Sequence, residues 1–220
     1  MDVHIIAIAG GSCSGKTRLA DHTHKALNED VLIDAAFKDA VLADKVCTIV
    51  RQDNYYLDYG GANPGDPLPN FDHPNAFEWD LLRDQLLALK SGKPVDIPTY
   101  DFVTHRRAEP VLRVEPRPII LIEGILLLSQ PELLSVYDKI FFVKCSEDVR
   151  LDRRLKRDVI ERGRTPESIR TQFAKDVAPM QAEFVDPSQE HADVIITQDM
   201  CGLDVIMNSG PLISYCRSLL

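Results

Sequence analysis

Residues 10–17, GGSCSGKT, constrain this chain more than any other stretch. They sit between the apolar, β-branched run VHIIAIA (3–9) and RLADHTHKAL (18–27), which has the pattern of a helix. Gly10, Gly15, Lys16 and Thr17 satisfy G-x-x-x-x-G-K-[ST], with Gly11, Ser12, Cys13 and Ser14 between the two glycines. Glycine at both ends lets the backbone turn its N–H groups inward, and the N-terminus of the following helix adds positive dipole. Such a loop cradles a phosphate chain: Lys16 reaches the β- and γ-phosphates, and the Thr17 hydroxyl ligates Mg²⁺. The bound phosphate then has three fates: hydrolysis, retention as a switch signal, or transfer to a second molecule.

Composition narrows the partners. The formal charge of −9 argues against nucleic acid, whose binding needs Lys and Arg to neutralise phosphates, but allows a small anion where positive charge is gathered locally. No apolar run approaches the ~20 residues that span a bilayer, which argues against a membrane partner. There is no basic start leading into an apolar stretch and a cleavage site. The cysteines Cys13, Cys47, Cys145, Cys201 and Cys216 form no C-x-x-C pair, which speaks against zinc or a disulfide framework and for a reducing cytoplasm.

Four further apolar runs follow the first: VCTIVRQD (46–53), PIILIEG (118–124), KIFFVKC (139–145) and ADVIIT (192–197). Nearly unbroken β-branched runs suit parallel strands covered on both faces, so the spacing predicts a doubly wound α/β layer sandwich. Between them, NAFEWDLLRDQLLALKSG (75–92) predicts a helix with Asn75 as N-cap, Glu78 three residues on and Gly92 at its end. TPESIRTQFAKDVAPM (165–180) predicts another, capped by Thr165 with Pro166 in the first turn. The stretch 56–74 is rich in Gly, Pro, Asp and Asn, and long for a connection. Residues 96–116 suit a projecting hairpin, and the last twenty residues contain a Gly-Pro break.

Two of the strands end in carboxylates, Asp53 and Glu123. Ligands of open parallel sheets gather at the carboxyl ends of the strands, so either residue suits Mg²⁺ or proton abstraction from an attacking hydroxyl. Downstream, Arg150, Arg153, Arg154 and Arg157 share one helix face by spacing, and Arg162 and Arg164 flank Gly163. This is either a solvated face paired with Asp148, Asp152, Asp158 and Glu161, or a lid over a triphosphate. Arginine suits a lid because its fork of donors stabilises a transferring phosphoryl group while water is excluded. Exclusion of water favours transfer over hydrolysis.

QDNYY (52–56), NFDHPNAF (70–77), PTYDFVTHRR (98–107), IEGILLL (122–128), RRLKRDVIERGR (153–164) and HADVII (191–196) follow the phosphate loop in this order. Together they resemble the uridine–cytidine kinases, over about residues 3–196. The resemblance implies one domain over 1–220, a P-loop NTPase three-layer sandwich with a parallel sheet, a β-hairpin insertion at about 94–116 and an Arg-rich lid at about 154–170. It implies transfer of the γ-phosphoryl group of ATP, or GTP, to the 5′-hydroxyl of uridine or cytidine, with Mg²⁺. Carried over by motif, Asp53 is the catalytic base with Tyr56 beside it. Asp72, Gln172 and Arg154 hold the ribose hydroxyls, Tyr100, Phe102 and His105 frame the pyrimidine, and Arg164 contributes at the base. Lys16, Arg157 and Arg162 act on the phosphates, and Thr17, Glu123 and Asp53 serve Mg²⁺. The family usually carries PRG after its last strand where this chain has TQD (197–199), which leaves ATP and GTP both open. The tail lacks the pattern of the family's usual final helix, and the family's usual tetramer implies a homo-oligomer. The rival readings are another phosphoribulokinase-like small-molecule kinase, and a nucleotide-dependent switch; no N-K-x-D-type guanine-reading stretch supports the latter.

Overall fold

The computed structural model describes residues 2–35, 45–59, 69–199 and 208–220, with the side chains of 30–35 excepted. All five apolar runs form strands. β1 (His4–Gly10) leads through the glycine-rich loop into α1 (Lys16–Ala35), and β2 (Cys47–Arg51) ends in a short 3₁₀ turn, Gln52–Tyr55. α2 (Trp79–Lys90) precedes the hairpin β3 (Val95–Asp101) and β4 (Arg106–Val114). β5 (Ile119–Gly124), the single turn α3 (Pro131–Leu134) and β6 (Lys139–Lys144) follow. α4 (Glu147–Arg162) carries the arginines, and α5 (Pro166–Gln172) continues as a helical track with two π-helical turns, Phe173–Val177 and Gln181–Val185. The chain closes with β7 (Val194–Thr197) and α6 (Gly210–Arg217).

The sheet is parallel, in the order β2-β5-β1-β6-β7. β1 is central, with Ala7 beside Ile122 on one flank and Ile140 on the other. Alternate residues feed two cores. Ile5, Ala7, Ala9, Ile120, Ile122 and Phe142 pack with Leu82, Leu86 and Leu89 of α2. Ile6, Ile8, Leu121, Phe141 and Val143 pack with Leu19 and Leu27 of α1 and with Leu212 and Cys216 of α6. This is the three-layer sandwich that strands apolar on both faces require. Sheet polarity then fixes the site: the loop after β1, Asp53 after β2 and Glu123 at the end of β5 share the carboxyl edge.

β3 and β4 form a separate antiparallel pair, with a register shift between Ile97 and Thr99 at Pro98, which has no N–H to give the ladder. Two local expectations need correction. Asn75 is not the N-cap of α2; it lies in a 3₁₀ turn, Pro74–Ala76, and Glu78 holds the cap position. The reason is Phe77, which is buried, extended (φ −120°, ψ 151°) and bridged to Tyr56, so no helix passes through it. The Gly-Pro pair of the tail does not break structure either: Pro211 stands in the first turn of α6, where its missing N–H costs nothing. Thr165 does cap α5, accepting from the Ser168 N–H at 3.2 Å. Cys201 and residues 60–68 of the Gly/Pro-rich stretch lie outside the described residues. Among those residues, no helix is long and apolar enough to cross a membrane.

Candidate active site

The glycine-rich loop is held in shape from behind. Gly10 has φ +146°, and a Cβ there would stand 2.5 Å from the Val143 carbonyl oxygen. Gly15 has φ +102° and supports the buried side chain of Gln198, so a Cβ would collide with that amide. Arg153 donates to the carbonyl oxygens of Ser14 at 3.1 Å and Cys13 at 3.4 Å, and the Ser14 N–H closes a turn onto the Gly11 oxygen at 3.1 Å. Lys16 is buried and its Nζ lies 3.5 Å from the Gly11 oxygen. Thr17 Oγ1 donates to Glu123 Oε2 at 3.1 Å, and Arg51 binds Glu123 Oε1 at 3.2 Å.

The proposed carboxylates share one electrostatic neighbourhood. Burial raises Asp53 above the usual carboxylate range, opposed by Lys16, Arg162 and Arg157 and reinforced by Asp72. Burial likewise raises Asp72, against the pull of Arg154, Lys16 and Arg157. Glu123 is raised by burial and by Asp53, and lowered by Lys16 and Arg51. Gln52, the residue before Asp53, is fully buried; its Oε1 accepts from the Leu126 N–H at 3.0 Å and lies where a side chain on Gly124 would go, which anchors the backbone there. Thr17, Glu123 and Asp53 suit Mg²⁺, which keeps several waters and asks the protein for one or two carboxylates.

Opposite the loop stands an aromatic wall. Tyr56 stacks on Phe77 (4.2 Å, 28°), lies 5.1 Å from Tyr100, and donates from its hydroxyl to the Phe71 oxygen at 3.2 Å. His105, in the hairpin turn at φ +55°, stacks on Phe71 at 4.7 Å and 16°. Among the described residues, the Tyr100 hydroxyl and His105 Nδ1 are buried without a hydrogen-bond partner, two polar groups on the wall to which a ligand could bond. Arg107 ties hairpin to core, donating to the Tyr56 oxygen at 3.2 Å and pairing with Glu78. Phe102 is more exposed, with the Arg162 guanidinium 5.4 Å from its ring centre.

The arginines of α4 are not a solvated face. Arg150 and Arg154 are buried, Arg154 donates to Ser12 Oγ at 3.0 Å, and Arg162 is crowded. Partial desolvation, then the neighbouring Arg157 and Arg154, lower its pKa against the pull of Asp158 and Asp53, although 39% of its side chain stays exposed; the same two carboxylates help to raise Arg157. Of the acidic partners expected, Asp158 is central and fully buried, whereas Asp152 pairs with the exposed Lys156. Gln172 Oε1 accepts from Arg164 at 2.5 Å and Arg154 at 3.3 Å, so Gln172 and Arg164 form one unit with Arg154. Crowded arginines beside a phosphate loop fit a polyphosphate.

The structure thus gathers Lys16, Asp53, Asp72, Arg154, Arg157 and Arg162 at one cleft, bounded by Tyr56, Tyr100, Phe102 and His105. Sequence reasoning did not single out Gln52, Phe71, Phe77, Arg107 or Gln198 as working parts. Their only signal was adjacency to the motif residues. Arg153 and Asp158 stood in the arginine pattern without roles of their own.

The chain matches the phosphoribulokinase / uridine kinase family over residues 5–203. It is 39% identical to a uridine kinase of Cronobacter sakazakii and 40% identical to one of Pasteurella multocida, each over 193 residues. These alignments cover 87% of this chain and 85% and 84% of the relatives. In fold it resembles a solved structure described as a possible uridine kinase from Bacillus stearothermophilus (TM-score 0.54, 17% identity, 89% of each chain). It also resembles one from Silicibacter sp. TM1040 described as a fructose transport system kinase (TM-score 0.67, 20% identity, 88% and 89% covered). With the family's match running over nearly the whole chain and joining the phosphate loop to the aromatic wall, this protein belongs to the phosphoribulokinase / uridine kinase family.

Proposed function

We propose that the protein transfers the γ-phosphoryl group of ATP to the 5′-hydroxyl of uridine or cytidine, forming UMP or CMP in pyrimidine salvage. The observation that carries this reading is the juxtaposition of two carboxylates, Asp53 and Asp72, both within the field of Lys16, beside an aromatic wall with unpartnered polar groups. The relatives named uridine kinase support the choice of acceptor.

In this reading Asp53 accepts the proton of the 5′-hydroxyl. Its raised pKa makes it a stronger base than an exposed carboxylate, while Lys16, Arg162 and Arg157 pull towards the ionised form. Asp72 accepts from the ribose hydroxyls and Arg154, steadied by Gln172 and Arg164, closes that side. Tyr56, Tyr100, Phe102 and His105 sandwich the pyrimidine; His105 can donate or accept at the edge where uracil and cytosine differ. Gly10, Gly11, Ser12, Cys13, Ser14 and Gly15 wrap the phosphates, and Lys16, Arg157 and Arg162 stabilise charge on the transferring group. Thr17, Glu123 and Asp53 would hold Mg²⁺, which neutralises phosphate charge when bound. Gln198, packed on Gly15 from the TQD segment, leaves ATP and GTP both as donors to be compared. The protein works in the cytoplasm, as a homo-oligomer of the tetrameric kind usual in the family it resembles.

The test is nucleoside-stimulated ATP consumption with uridine, cytidine and adenosine at matched MgATP, repeated with MgGTP. Uridine and cytidine are expected to be phosphorylated and adenosine to fail in the narrow aromatic slot. Preference for adenosine would overturn the pocket, and turnover only on ribulose 5-phosphate or pantothenate would move the protein elsewhere in its family.

A further inference from the structure

Asp158 is the most enclosed charged side chain near the cleft, with no exposure, and four arginines surround it. Oδ1 accepts from Arg157 Nε at 2.8 Å and lies 3.7 Å from Arg162 Nε. Oδ2 lies 3.5 Å from Arg154 Nε and 3.7 Å from Arg164 Nη1. The local sequence makes this meeting possible. Arg154 and Arg162 lie one helical turn either side of Asp158, and Gly163, left-handed at φ +61°, turns the chain so that the Arg164 N–H reaches the Asp158 carbonyl at 3.1 Å. Side chain and backbone of one residue therefore hold both the helix end and the turn beyond it.

We propose that Asp158 is a positioning residue that couples the two substrates, by holding the phosphate-side pair Arg157 and Arg162 and the ribose-side pair Arg154 and Arg164 on one carboxylate. The inference rests on the roles given to these arginines under the proposed function. A purely structural ion pair would be short and saturated, because a buried carboxylate is costly unless well hydrogen-bonded. Among the described residues, only the Arg157 contact is short, and neither Oδ2 nor Arg154 Nε makes a hydrogen bond. Asp53 and Asp72 also face these arginines, but with Lys16 the cluster sets five positive groups against three carboxylates, so an excess of positive charge remains for an entering anion to offset. A triphosphate offsets that excess at Arg157 and Arg162. The shared carboxylate and the Gln172 oxygen common to Arg154 and Arg164 then carry the rearrangement to the ribose side. Coupling of this kind is reciprocal: the nucleoside must tighten triphosphate binding by the same factor.

The experiment measures uridine binding by calorimetry with and without a non-hydrolysable ATP analogue, and analogue binding alone, for the wild type, Asp158→Asn and Asp158→Glu. Wild type is expected to bind uridine about 5–150-fold more tightly when the analogue is present, the usual range for coupled sites. Both variants should lose that ratio to within about twofold, while kcat falls by about 10²-fold, as a misplacement of about 1 Å can cause. Glu keeps the charge and so keeps the fold if Asn does not; its longer arm still misplaces the arginines. A structural role alone would lower thermal stability and the active fraction but leave the coupling ratio of folded enzyme unchanged, and that result would overturn the proposal. If wild type phosphorylates no uridine, the acceptor reading fails by itself. The Asp158 inference is then decided on analogue binding alone: tenfold weaker in both variants supports it, and unchanged binding overturns it.

Discussion

The two halves of the cleft are made of different materials. The phosphate side is mostly one continuous stretch, residues 10–17, whose shape is set by two positive-φ glycines and by side chains that press on them from behind. The acceptor side is made of side chains from separate places: Tyr56 after β2, Phe71 and Asp72 before α2, Tyr100 and His105 in the hairpin, and Gln172 at the end of α5. Backbone N–H groups bind any phosphate chain alike, so the first half identifies a class of ligand. Specific recognition of an acceptor needs side chains at fixed mutual positions, which only the tertiary fold supplies.

The sharpest way to break this division is Asp53, the proposed base, which lies where the halves meet. Asp53→Asn should lower kcat by about 10²–10⁴-fold, the usual contribution of general base catalysis. Binding of the ATP analogue should persist within a few-fold, because Lys16 and the loop amides are untouched. Steady-state kinetics with calorimetry checks both, and near-normal turnover would remove Asp53 from the mechanism.

A smaller effect belongs wholly to the acceptor side. If Asp72 accepts from the ribose hydroxyls, each hydrogen bond to its charge contributes about 1.5–3 kcal/mol. Deoxycytidine should therefore have kcat/KM about 10–150-fold below that of cytidine, since each ~1.4 kcal/mol is tenfold. In Asp72→Asn the gap between the two nucleosides should shrink, whereas KM for ATP should hold. Equal use of both nucleosides by wild type would refute the assignment.

The same division explains what could be read from the chain. The five sheet strands were legible because burial on both faces forces unbroken β-branched runs, and the phosphate loop because its spacing is local. The start of α2 was not: Asn75 and Glu78 have capping chemistry, but the bridge to Tyr56, distant in sequence, holds Phe77 extended. Asp158 was visible only as one of several acids able to pair with arginines. Its selection over Asp152 depends on which side of α4 faces the cleft and on the turn at Gly163. Gln52, buried beside Gly124 and bonded to the Leu126 N–H, has no pattern of its own at all. In each case the missing information was a contact between segments far apart in the chain.

Phe102 and Arg162 are where hairpin and lid arginines touch, so their contact probes how far the halves are independent. An arginine over an exposed ring gains about 0.5–1 kcal/mol. Phe102→Leu keeps apolar bulk but removes the ring face, so the arginine loses its rest position without losing its charge. If that position serves the phosphoryl group, kcat should fall by about 2–5-fold, the same energy expressed as a rate. The ring's contact with the pyrimidine, if made, would appear separately as a higher KM for the nucleoside. KM for ATP should stay level, because Lys16 and the loop amides hold the phosphates before Arg162 is needed. A change in the nucleoside KM with kcat unaltered would mean that Phe102 serves the acceptor alone, and that the two halves meet through Asp53 and Asp158 rather than through the hairpin.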